Sequence, residues 1–366
     1  MLHTKRNRLY FYKKNIMSQF HTLHIQSITR VTEKSVAVTF AVPDSLKEDF
    51  NFSAGQYITL KTQINGEEVR RAYSLCSTPQ EGLTVAIKEV ENGTFSTYAN
   101  RELKEGDTMD VHTPEGRFKI ENSAFAKAQT YAAFAAGSGI TPILSMIKTT
   151  LSQSADSKFV LVYGNRTEEE AMFRDELIAL RDQYKDRFSI EFIYSQTRVD
   201  GAHFGRIMKA TVNFVVKNKY AANDFNEYFL CGPEAMIKEV SKVLKENDTK
   251  EENIHFELFT ASTEEVTIDA NLDGKTAIKV VCDDEEFEFT MEKDAVILDA
   301  ALDQDIDAPH SCQGGICSSC IARVTEGTAV MSQNQILTDS EVAEGLILTC
   351  QAHPTSASIV VDYDDV

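Results

Sequence analysis

The first third of the chain alternates apolar and polar positions with a period of two, which is the pattern of half-buried strands. The alternating runs are short and cover Ser35–Phe40, Tyr57–Lys61 and Leu83–Glu89. Turn residues such as Asn65-Gly66 and Asn92-Gly93 separate them. Because strands joined by such tight turns pair antiparallel, the pattern predicts an antiparallel β-barrel or sandwich over residues 17–121.

From Ala128 onward, continuous apolar runs alternate with stretches of helical period. The predicted strands are Thr130–Ala136, Phe159–Tyr163, Phe188–Tyr194, Tyr228–Cys231 and Asn253–Phe259. The predicted helices are Pro142–Leu151, Glu168–Gln183, Gly205–Lys217 and Glu234–Glu246. Alternation of apolar strands with helices is typical of a parallel sheet covered by helices. Residues 122–260 are therefore predicted to form an α/β parallel-sheet domain.

The last hundred residues return to short strands around one helix. The predicted strands are Val266–Asn271, Thr276–Val281, Glu286–Met291, Ile321–Val324 and Ile359–Tyr363, and the predicted helix is Ala295–Gln304. The turn Asp273-Gly274 joins the first two strands as a hairpin. This set predicts a small β-grasp domain over residues 266–366, reached through a linker at 261–265. Residues 1–16 are predicted to be a flexible tail, with a targeting role as the alternative.

Charge is distributed unevenly along the 366 residues, whose net charge is −19. Residues 262–366 contain 22 acidic and four basic side chains, which gives −18 for this segment alone. Such acidity disfavours nucleic acid or an anionic membrane as partner and favours a basic protein surface, while solubility alone is the alternative. No apolar run reaches the roughly 18 residues that span a bilayer, and no secretory signal is visible, so we expect a cytoplasmic protein.

Four of the seven cysteines form a distinctive motif. Cys312, Cys317 and Cys320 have the spacing C-x4-C-x2-C, and Cys350 follows after 29 residues. This spacing is typical of plant-type [2Fe–2S] ferredoxins, in which a long loop wraps the cluster and a distant residue supplies the fourth thiolate. A structural zinc site would more often use two separated C-x2-C pairs, and disulfides would need an oxidising compartment. The sequence thus predicts a [2Fe–2S] cluster.

Two further motifs lie in the first predicted domain. Arg71-Ala72-Tyr73-Ser74 lies on a strand, where alternation places Arg71 and Tyr73 on one face. A guanidinium there can pair with a phosphate while the phenol ring stacks on a flat heterocycle. Residues Gly93–Thr97 precede a short helix predicted over Tyr98–Leu103, whose N-terminal amides suit a pyrophosphate.

Polar or glycine-rich loops follow the strands of the predicted parallel sheet, at the edge where ligands gather. The first loop, Gly137–Pro142, lacks the third glycine of the usual dinucleotide fingerprint but places Pro142 in the first turn of a helix. The loops after the next two strands offer Arg166 and Arg198, which suit a 2′-phosphate better than a ribose hydroxyl. The fourth strand ends in Cys231-Gly232-Pro233. Solvated loop arginines and a structural buried cysteine are the alternatives.

The order of these motifs resembles the ferredoxin–NADP reductase superfamily with a ferredoxin domain fused at the C-terminus, and the resemblance covers nearly the whole chain from Met17. Within the superfamily, the chain is most similar to the reductase components of phenylacetyl-CoA epoxidases. The motifs that carry this similarity are Tyr163-Gly164-Asn165-Arg166, Phe173-Arg174, Tyr194-Ser195-Gln196, Gly205-Arg206 and Cys350-Gln351-Ala352.

The resemblance implies FAD, NADPH and the [2Fe–2S] cluster as cofactors. It assigns flavin binding to Arg71, Ala72, Tyr73, Ser74, Lys88, Gly93, Phe95, Ser96 and Thr97. It assigns NADPH binding to Gly137, Ser138, Gly139, Thr141, Pro142, Gly164, Arg166, Ser195, Arg198, Cys231, Gly232 and Pro233. Ser74, near flavin N5, and Cys231, near the nicotinamide, are the implied catalytic residues. A related branch uses FMN and NADH, but residues Gly93–Tyr98 resemble the FAD branch better.

The resemblance also implies the activity: electrons pass from NADPH to FAD, then to the cluster, then singly to an oxygenase component such as phenylacetyl-CoA epoxidase. Asp305, Asp307 and Glu326 flank the cysteine loop and are the candidate contacts with that partner. The alternatives are a reductase for another oxygenase, desaturase or hydroxylase, and a non-enzymatic redox-sensing protein.

Overall fold

The computed structural model describes residues 20–259 and 270–366. The predicted tail at 1–16, the predicted linker at 261–265 and most of the strand predicted over Val266–Asn271 lie outside these residues. Ala270 and Asn271, the two described residues of that range, are not in a strand. The described part of the chain contains three large sheets, one for each predicted domain.

The first sheet is an antiparallel barrel. Its elements are β1 (Phe20–Thr32), β2 (Ser35–Ala41), β3 (Tyr57–Ile64), β4 (Glu67–Ser74), β5 (Leu83–Lys88), α1 (Thr94–Arg101) and β6 (Thr108–His112). The strand order is β4-β3-β6-β1-β2-β5, and a bridge between Leu75 and Val85 joins the two edge strands. Inward-facing residues such as Ile58, Leu60 and Val111 fill the interior. The alternating pattern thus encoded the strands and the predicted barrel is confirmed.

The second sheet is parallel. Its elements are β7 (Thr130–Ala136), α2 (Ile140–Gln153), β8 (Lys158–Asn165), α3 (Arg174–Gln183), β9 (Phe188–Tyr194), β10 (His203–Phe204), α4 (Lys209–Asn213), β11 (Glu227–Cys231), α5 (Glu234–Glu246) and β12 (Ile254–Glu257). The strand order is β10-β9-β8-β7-β11-β12, and the strands are parallel. The chain adds strands on one side of β7 as far as β10 and then on the other side from β11, so the order of connection reverses between β7 and β11. Ligands of open α/β sheets bind at the carboxyl end of such a reversal. Gly137–Pro142 and Cys231–Pro233 are the segments found there.

The two segments at the reversal pack tightly against each other. A Cβ on Gly139 would lie 2.2 Å from the carbonyl oxygen of Cys231, closer than van der Waals contact allows. Glycine is therefore required at position 139 because the loop after β7 rests directly on the end of β11. The sequence predicted both segments as ligand loops, and the fold places them side by side.

The third sheet has the β-grasp arrangement. Its elements are β13 (Lys275–Cys282), β14 (Glu285–Glu292), α6 (Ile297–Leu302), β15 (Ile321–Glu326), β16 (Ala329–Met331), α7 (Asp339–Ala343), β17 (Leu346–Leu348), β18 (Ala352–Pro354) and β19 (Ser358–Asp362). The strand order is β14-β13-β19-β15-β17, with β13 and β19 parallel. Ile297 and Leu298 of α6 are buried against the sheet. The edge strand β14 presents exposed Glu285, Glu286, Glu288 and Glu292.

Three predicted helices differ from the observed ones. Helix α1 begins at Thr94 rather than Tyr98, because burial of Phe95 in the barrel outweighs the weak helix propensity of Thr94–Thr97. Helix α3 begins at Arg174 rather than Glu168, since Phe173 adopts a left-handed conformation that interrupts the helix. Helix α4 ends at Asn213 and continues as a π-helical turn to Lys219. In the described part of the chain, no helix is long and apolar enough to cross a membrane.

Candidate functional site

Three side chains from different strands meet where the barrel touches the parallel sheet. Ser74, the last residue of β4, donates a hydrogen bond of 3.1 Å from its Oγ to Oε2 of Glu257. Glu257 ends β12 and lies directly opposite Cys231, the end of β11, in the parallel register. Ser74 and Cys231 are buried, with exposed fractions of 4% and 0%. The structure thus brings the two predicted catalytic residues to one place and adds a carboxyl group.

Burial controls the protonation of Glu257 and Cys231. It raises the pKa of Glu257 to about 8, although the hydrogen bond from Ser74 lowers it in part. Burial also raises the pKa of the Cys231 thiol well above its usual value, and the nearby Glu257 carboxyl raises it further. At neutral pH both side chains therefore carry their protons. The site presents a hydroxyl, a thiol and a carboxylic acid rather than charged groups.

Glu257 was missed by sequence reasoning. The available signal was positional, because a carboxylate ending the last strand of a parallel sheet lies on the edge where ligands bind. The predicted strand Asn253–Phe259 ran past Glu257, whereas the observed strand ends on it. The register that sets it beside Cys231 exists only in the folded sheet.

Arg71 and Tyr73 lie on one face of β4, as the alternation predicted. Burial raises the pKa of Tyr73, and the neighbouring Arg71 guanidinium lowers it in part, so the two groups are close. The Tyr73 ring packs on Phe95 of α1, with centroids 5.5 Å apart. Arg71 is exposed, and its Nη1 donates to the Arg70 carbonyl oxygen. An exposed guanidinium beside a supported aromatic ring matches what a phosphate-bearing flavin requires.

The start of α1 faces the same region of the barrel. Gly93 is the residue before the helix, and a Cβ there would lie 2.4 Å from Oγ of Ser96. Ser96 Oγ instead accepts a hydrogen bond from the Val90 amide, which fixes the turn. Thr97 is half-buried in the first helical turn. The first amides of a helix have no partner within it, and they are a ready anion site.

Other predicted flavin residues have supporting positions. Phe95 is only 2% exposed and lies in the barrel core, so its side chain supports Tyr73. Ala72 pairs with Thr59 across β3 and β4. Lys88, at the end of β5, lies 3.6 Å from Glu170 of the parallel-sheet domain. Its ammonium group therefore joins two domains next to the predicted flavin face.

The predicted nucleotide loops are linked to one another at the carboxyl edge of the parallel sheet. Tyr163 donates from its hydroxyl to the Gly137 carbonyl oxygen at 3.0 Å, and Thr141 Oγ1 donates to the Ser138 carbonyl oxygen. Gly164 follows Tyr163 in β8 and packs against Ile207. Pro142 is buried in the first turn of α2. Gly232 and Pro233 lead into α5 beside this group.

The three predicted 2′-phosphate residues are partly brought together. The Ser195 amide donates to the Asn165 carbonyl oxygen at 3.0 Å, and the Gln196 amide donates to that of Arg166 at 2.8 Å. The loops after β8 and β9 are therefore joined, with Arg166 exposed beside Ser195. Arg198 lies further along and stacks on the Phe204 ring, 4.4 Å from its centroid. The stack uses the face of the Arg198 guanidinium and restrains its position, while its N–H groups lie at the edge of the plane.

The four cysteines of the motif converge in two pairs. The pKa of Cys312 is lowered to about 6, first by a hydrogen bond from Cys317 and then by the amides of Gly314, Ile316 and Cys317. Cys350 has its pKa lowered in the same way by a hydrogen bond from Cys320 and by the Gly315 amide. The thiol–thiol contacts therefore form two pairs, Cys312 with Cys317 and Cys320 with Cys350. Within the described residues, no three ligating side chains surround a single point as one metal ion would require.

This pairing fits a [2Fe–2S] cluster, in which each iron takes two protein thiolates, better than the tetrahedral site of a single zinc ion. The loop amides that point at Cys312 and Cys350 would hydrogen-bond the sulfurs. Gly315 has φ of +71° and a Cβ there would lie 3.0 Å from Gln351, so glycine is needed for this approach. The donor set and its cradle thus match the predicted cluster.

Family models match all three parts of the chain. The model described as "Oxidoreductase FAD-binding domain" covers residues 22–120, and that described as "Oxidoreductase NAD-binding domain" covers 134–242. The model described as "2Fe-2S iron-sulfur cluster binding domain" covers residues 265–355. The chain is an oxidoreductase of the ferredoxin–NADP reductase superfamily with a C-terminal [2Fe–2S] domain. The predicted FAD, nicotinamide nucleotide and cluster are confirmed, and the preference for NADPH over NADH stays a prediction.

Relatives place the chain within that class. It is 37% identical over 361 residues to a component of the 1,2-phenylacetyl-CoA epoxidase of Escherichia coli strain K12, covering 95% of this chain and 99% of that protein. It is 29% identical to the ferredoxin reductase component of 3-ketosteroid-9-alpha-monooxygenase from Rhodococcus rhodochrous, over 93% and 96% of the two chains. The structure of phthalate dioxygenase reductase aligns with a TM-score of 0.58 at 25% identity, over 94% and 98% of the two chains.

Proposed function

We propose that this protein is the reductase component of a phenylacetyl-CoA epoxidase and that it transfers electrons from NADPH to the epoxidase's oxygenase component. The meeting of Ser74, Cys231 and Glu257 at the junction of the two cofactor domains carries the proposal. A shared site there lets a nicotinamide held by one domain contact a flavin held by the other. When bound, FAD and the [2Fe–2S] cluster supply the conversion of hydride chemistry into single-electron transfer.

The side chains at the junction hold one another in position and exclude water from the site. Ser74 Oγ is held by Glu257, which fixes the hydroxyl where β4 ends. Glu257, with its pKa raised to about 8, holds a proton on its carboxyl group at neutral pH. A neutral carboxyl avoids placing a negative charge beside the path of a hydride. The fully buried Cys231 excludes water from the same space.

Cofactor binding uses residues on both sides of the junction. Arg71 and the first amides of α1 bind the flavin phosphates in this proposal, and Tyr73, supported by Phe95, contacts its ring system. Gly137, Gly139 and the start of α2 bind the nicotinamide-nucleotide phosphates. Arg166 and Ser195 then select the 2′-phosphate of NADPH, with Arg198 as a second cation. Residues 17–121, 122–260 and 266–366 remain the domain limits that we propose.

The acceptor is proposed to dock on the open side of the cysteine loop. Gln313 is exposed and Cys312 and Gly314 are half-buried, whereas Cys317, Ser319 and Cys320 are buried. Asp303 and Asp305 are exposed close by in sequence and supply negative charge for a basic partner surface. Asp307 is a weaker candidate than the sequence suggested, because it lies 3.9 Å from Arg70 of the barrel.

The activity is tested with the purified holoprotein under anaerobic conditions. NADPH should bleach the flavin absorbance and then the broader iron–sulfur absorbance, and epoxidase oxygenase subunits with phenylacetyl-CoA should then turn over. Absence of any bleaching by NADPH or NADH would contradict the reductase activity. Normal bleaching without epoxidase turnover would leave the reductase in place and assign it to another oxygenase, such as those named by its other relatives.

The docking proposal has its own test, which is the dependence on salt. The Debye length falls from about 30 Å at 0.01 M salt to about 3 Å at 1 M, so attraction between opposite surfaces should weaken strongly. Electron transfer to the oxygenase should slow with salt, and reversal of Asp303 and Asp305 to Lys should slow it at low salt only. A transfer rate indifferent to both changes would mean that the acidity serves solubility alone. We also propose a cytoplasmic location, because none of the seven cysteines, all of which lie in the described residues, forms a disulfide, as in a reducing compartment.

A further inference from the structure

The cysteine loop is attached to the barrel through one phenol. The Tyr57 hydroxyl lies 3.1 Å from Oγ of Ser318 and 3.0 Å from Oγ of Ser319, and it accepts a hydrogen bond of 3.2 Å from the Ser318 amide. Ser318 and Ser319 are the two residues between Cys317 and Cys320. The phenol therefore holds the short link between one cysteine of each thiol pair.

Glu115 completes the contact from the barrel side. Its Oε1 accepts a hydrogen bond of 2.7 Å from Ser319 Oγ and one of 3.4 Å from Thr59 Oγ1. The backbones of Glu115 and Tyr57 are hydrogen-bonded to each other in both directions at 2.9 Å. Two adjacent barrel residues therefore contact Ser318 and Ser319 from one side. A preformed pair of this kind limits the entropy lost when the loop docks.

Neighbouring contacts fix the orientation of the loop. Arg70 of β4 lies 3.4 Å from Nδ1 of His310 and pairs with Asp307, and Arg117 forms an ion pair with Glu341 of α7. Ile316 packs against the apolar core of the parallel-sheet domain. The cysteine loop is thus in contact with both cofactor domains, mostly through polar pairs. Polar interfaces between domains permit relative motion by default.

Tyr57 also has a defined place relative to the junction site. It lies on β3 directly opposite Ser74 on β4, so the two are cross-strand partners. The Tyr57 ring is 4% exposed and packed within the barrel, while its hydroxyl is directed to the other domain. We propose that Tyr57, with Glu115, positions the Cys317–Cys320 segment next to the flavin site and so sets the rate of electron transfer from flavin to cluster.

This inference rests on the proposed function and assigns its second step to a specific contact. Removal of the Tyr57 hydroxyl leaves the ring to fill the barrel, so flavin binding should survive. The lost hydrogen bonds should instead release the segment, because a bond to a partly buried polar group is worth roughly a ten-fold change in an equilibrium. Ser74 and its partners are untouched, so reduction of the flavin should keep its rate.

The test compares Tyr57→Phe with the wild-type holoprotein in two measurements. Deuterium exchange of the amides in residues 316–320 should quicken about ten-fold. In stopped-flow with NADPH, the flavin phase should be unchanged while the iron–sulfur phase slows by about ten-fold. Tyr220→Phe is the matched control, since the Tyr220 hydroxyl also makes a side-chain hydrogen bond, which it donates to Glu191 of β9 at 2.6 Å, far across the parallel sheet from β12. It should change neither measurement.

A second pair of variants separates positioning from general damage. Glu115→Ala should reproduce the effect of Tyr57→Phe, whereas Glu115→Gln keeps an acceptor oxygen for Ser319 and should restore the iron–sulfur phase. Unchanged exchange in Tyr57→Phe would overturn the contact, and faster exchange with an unchanged iron–sulfur phase would overturn its role in electron transfer. Equal slowing of both phases would place Tyr57 in the flavin site instead. Failure of NADPH to reduce wild-type flavin would contradict the proposed function and leave the exchange comparison valid.

Discussion

The raised pKa of Glu257 predicts an unusual pH dependence of stability. Burial raises this pKa from an ordinary value near 4.5 to about 8. Below pH 4.5 the carboxyl is protonated in both the folded and the unfolded chain. Between these two values the unfolded chain releases the proton and the folded chain keeps it. The free energy of unfolding should therefore fall as pH rises through this window and level off above pH 8.

The size of the effect follows from the same values. Each pKa unit corresponds to about 1.4 kcal/mol, so the full difference would be about 5 kcal/mol. Since Glu257 is only half-buried as a residue, solvent screening should reduce the observed effect to about 2–3 kcal/mol. Glu257→Gln keeps an acceptor for Ser74 and cannot ionise. The variant should gain this amount of stability relative to wild type between pH 4.5 and pH 8.5.

The measurement is urea unfolding of the holoprotein, followed by circular dichroism at several pH values without nucleotide. Glu252→Gln is the control, because Glu252 lies just before β12 with a side chain 72% exposed and pairs with Lys250 at 3.3 Å rather than with a histidine. That variant should follow the wild-type pH dependence. Parallel curves for wild type and Glu257→Gln would refute the idea that the fold keeps Glu257 protonated.

Three further outcomes are expected. Cys317→Ser should remove the iron–sulfur absorbance and leave the flavin bands, since Cys317 belongs to a thiol pair of the C-terminal domain whereas Tyr73 lies on β4 of the barrel. Loss of both would contradict separate sites. Arg166→Ala should weaken NADPH binding roughly ten-fold or more and spare NADH, because a charge-assisted phosphate contact is worth about 1.5–3 kcal/mol. Arg198→Ala should weaken NADPH binding less, because Arg198 stacks on Phe204. An unchanged ratio of NADPH to NADH affinity in both variants would exclude these roles. Ser74→Ala should slow flavin reduction in stopped-flow with normal flavin content, whereas loss of flavin with a normal rate would make Ser74 structural.

Local sequence was sufficient for much of the fold. The strands β2, β7 and β9 follow directly from alternation or from apolar runs, because side-chain period alone determines which face is buried. The cysteine spacing likewise predicted the [2Fe–2S] cluster, whereas the pairing of Cys312 with Cys317 and of Cys320 with Cys350 is visible only in the fold. Helix α3 was predicted too long because residues 168–173 have helical composition, whereas they form turns that end in the left-handed Phe173.

The contacts between domains could not be read from local patterns. Glu257 is significant only because β12 pairs with β11 and because Ser74 arrives from the barrel. Tyr57 appeared as one of several buried strand residues, and its hydroxyl finds partners more than 260 positions away in sequence. Asp307 looked free for a partner until the fold placed Arg70 beside it. These features depend on docking of whole domains, for which a single sequence contains no periodic signal.

The row of carboxylates on β14 has a consequence for how the protein behaves when crowded. An edge strand offers unpaired amides and carbonyls to any other sheet edge, and proteins that accumulate in cells must prevent such pairing. Four glutamates are exposed on this edge, of which Glu286 and Glu292 pair with Lys279 and Lys275 of β13 whereas Glu285 and Glu288 do not. Two copies that approached strand to strand would therefore still bring an excess of negative charge together. The protection depends on these charges. Replacing Glu285 and Glu288 with uncharged residues should therefore let the ferredoxin domain self-associate edge to edge and ultimately form aggregates.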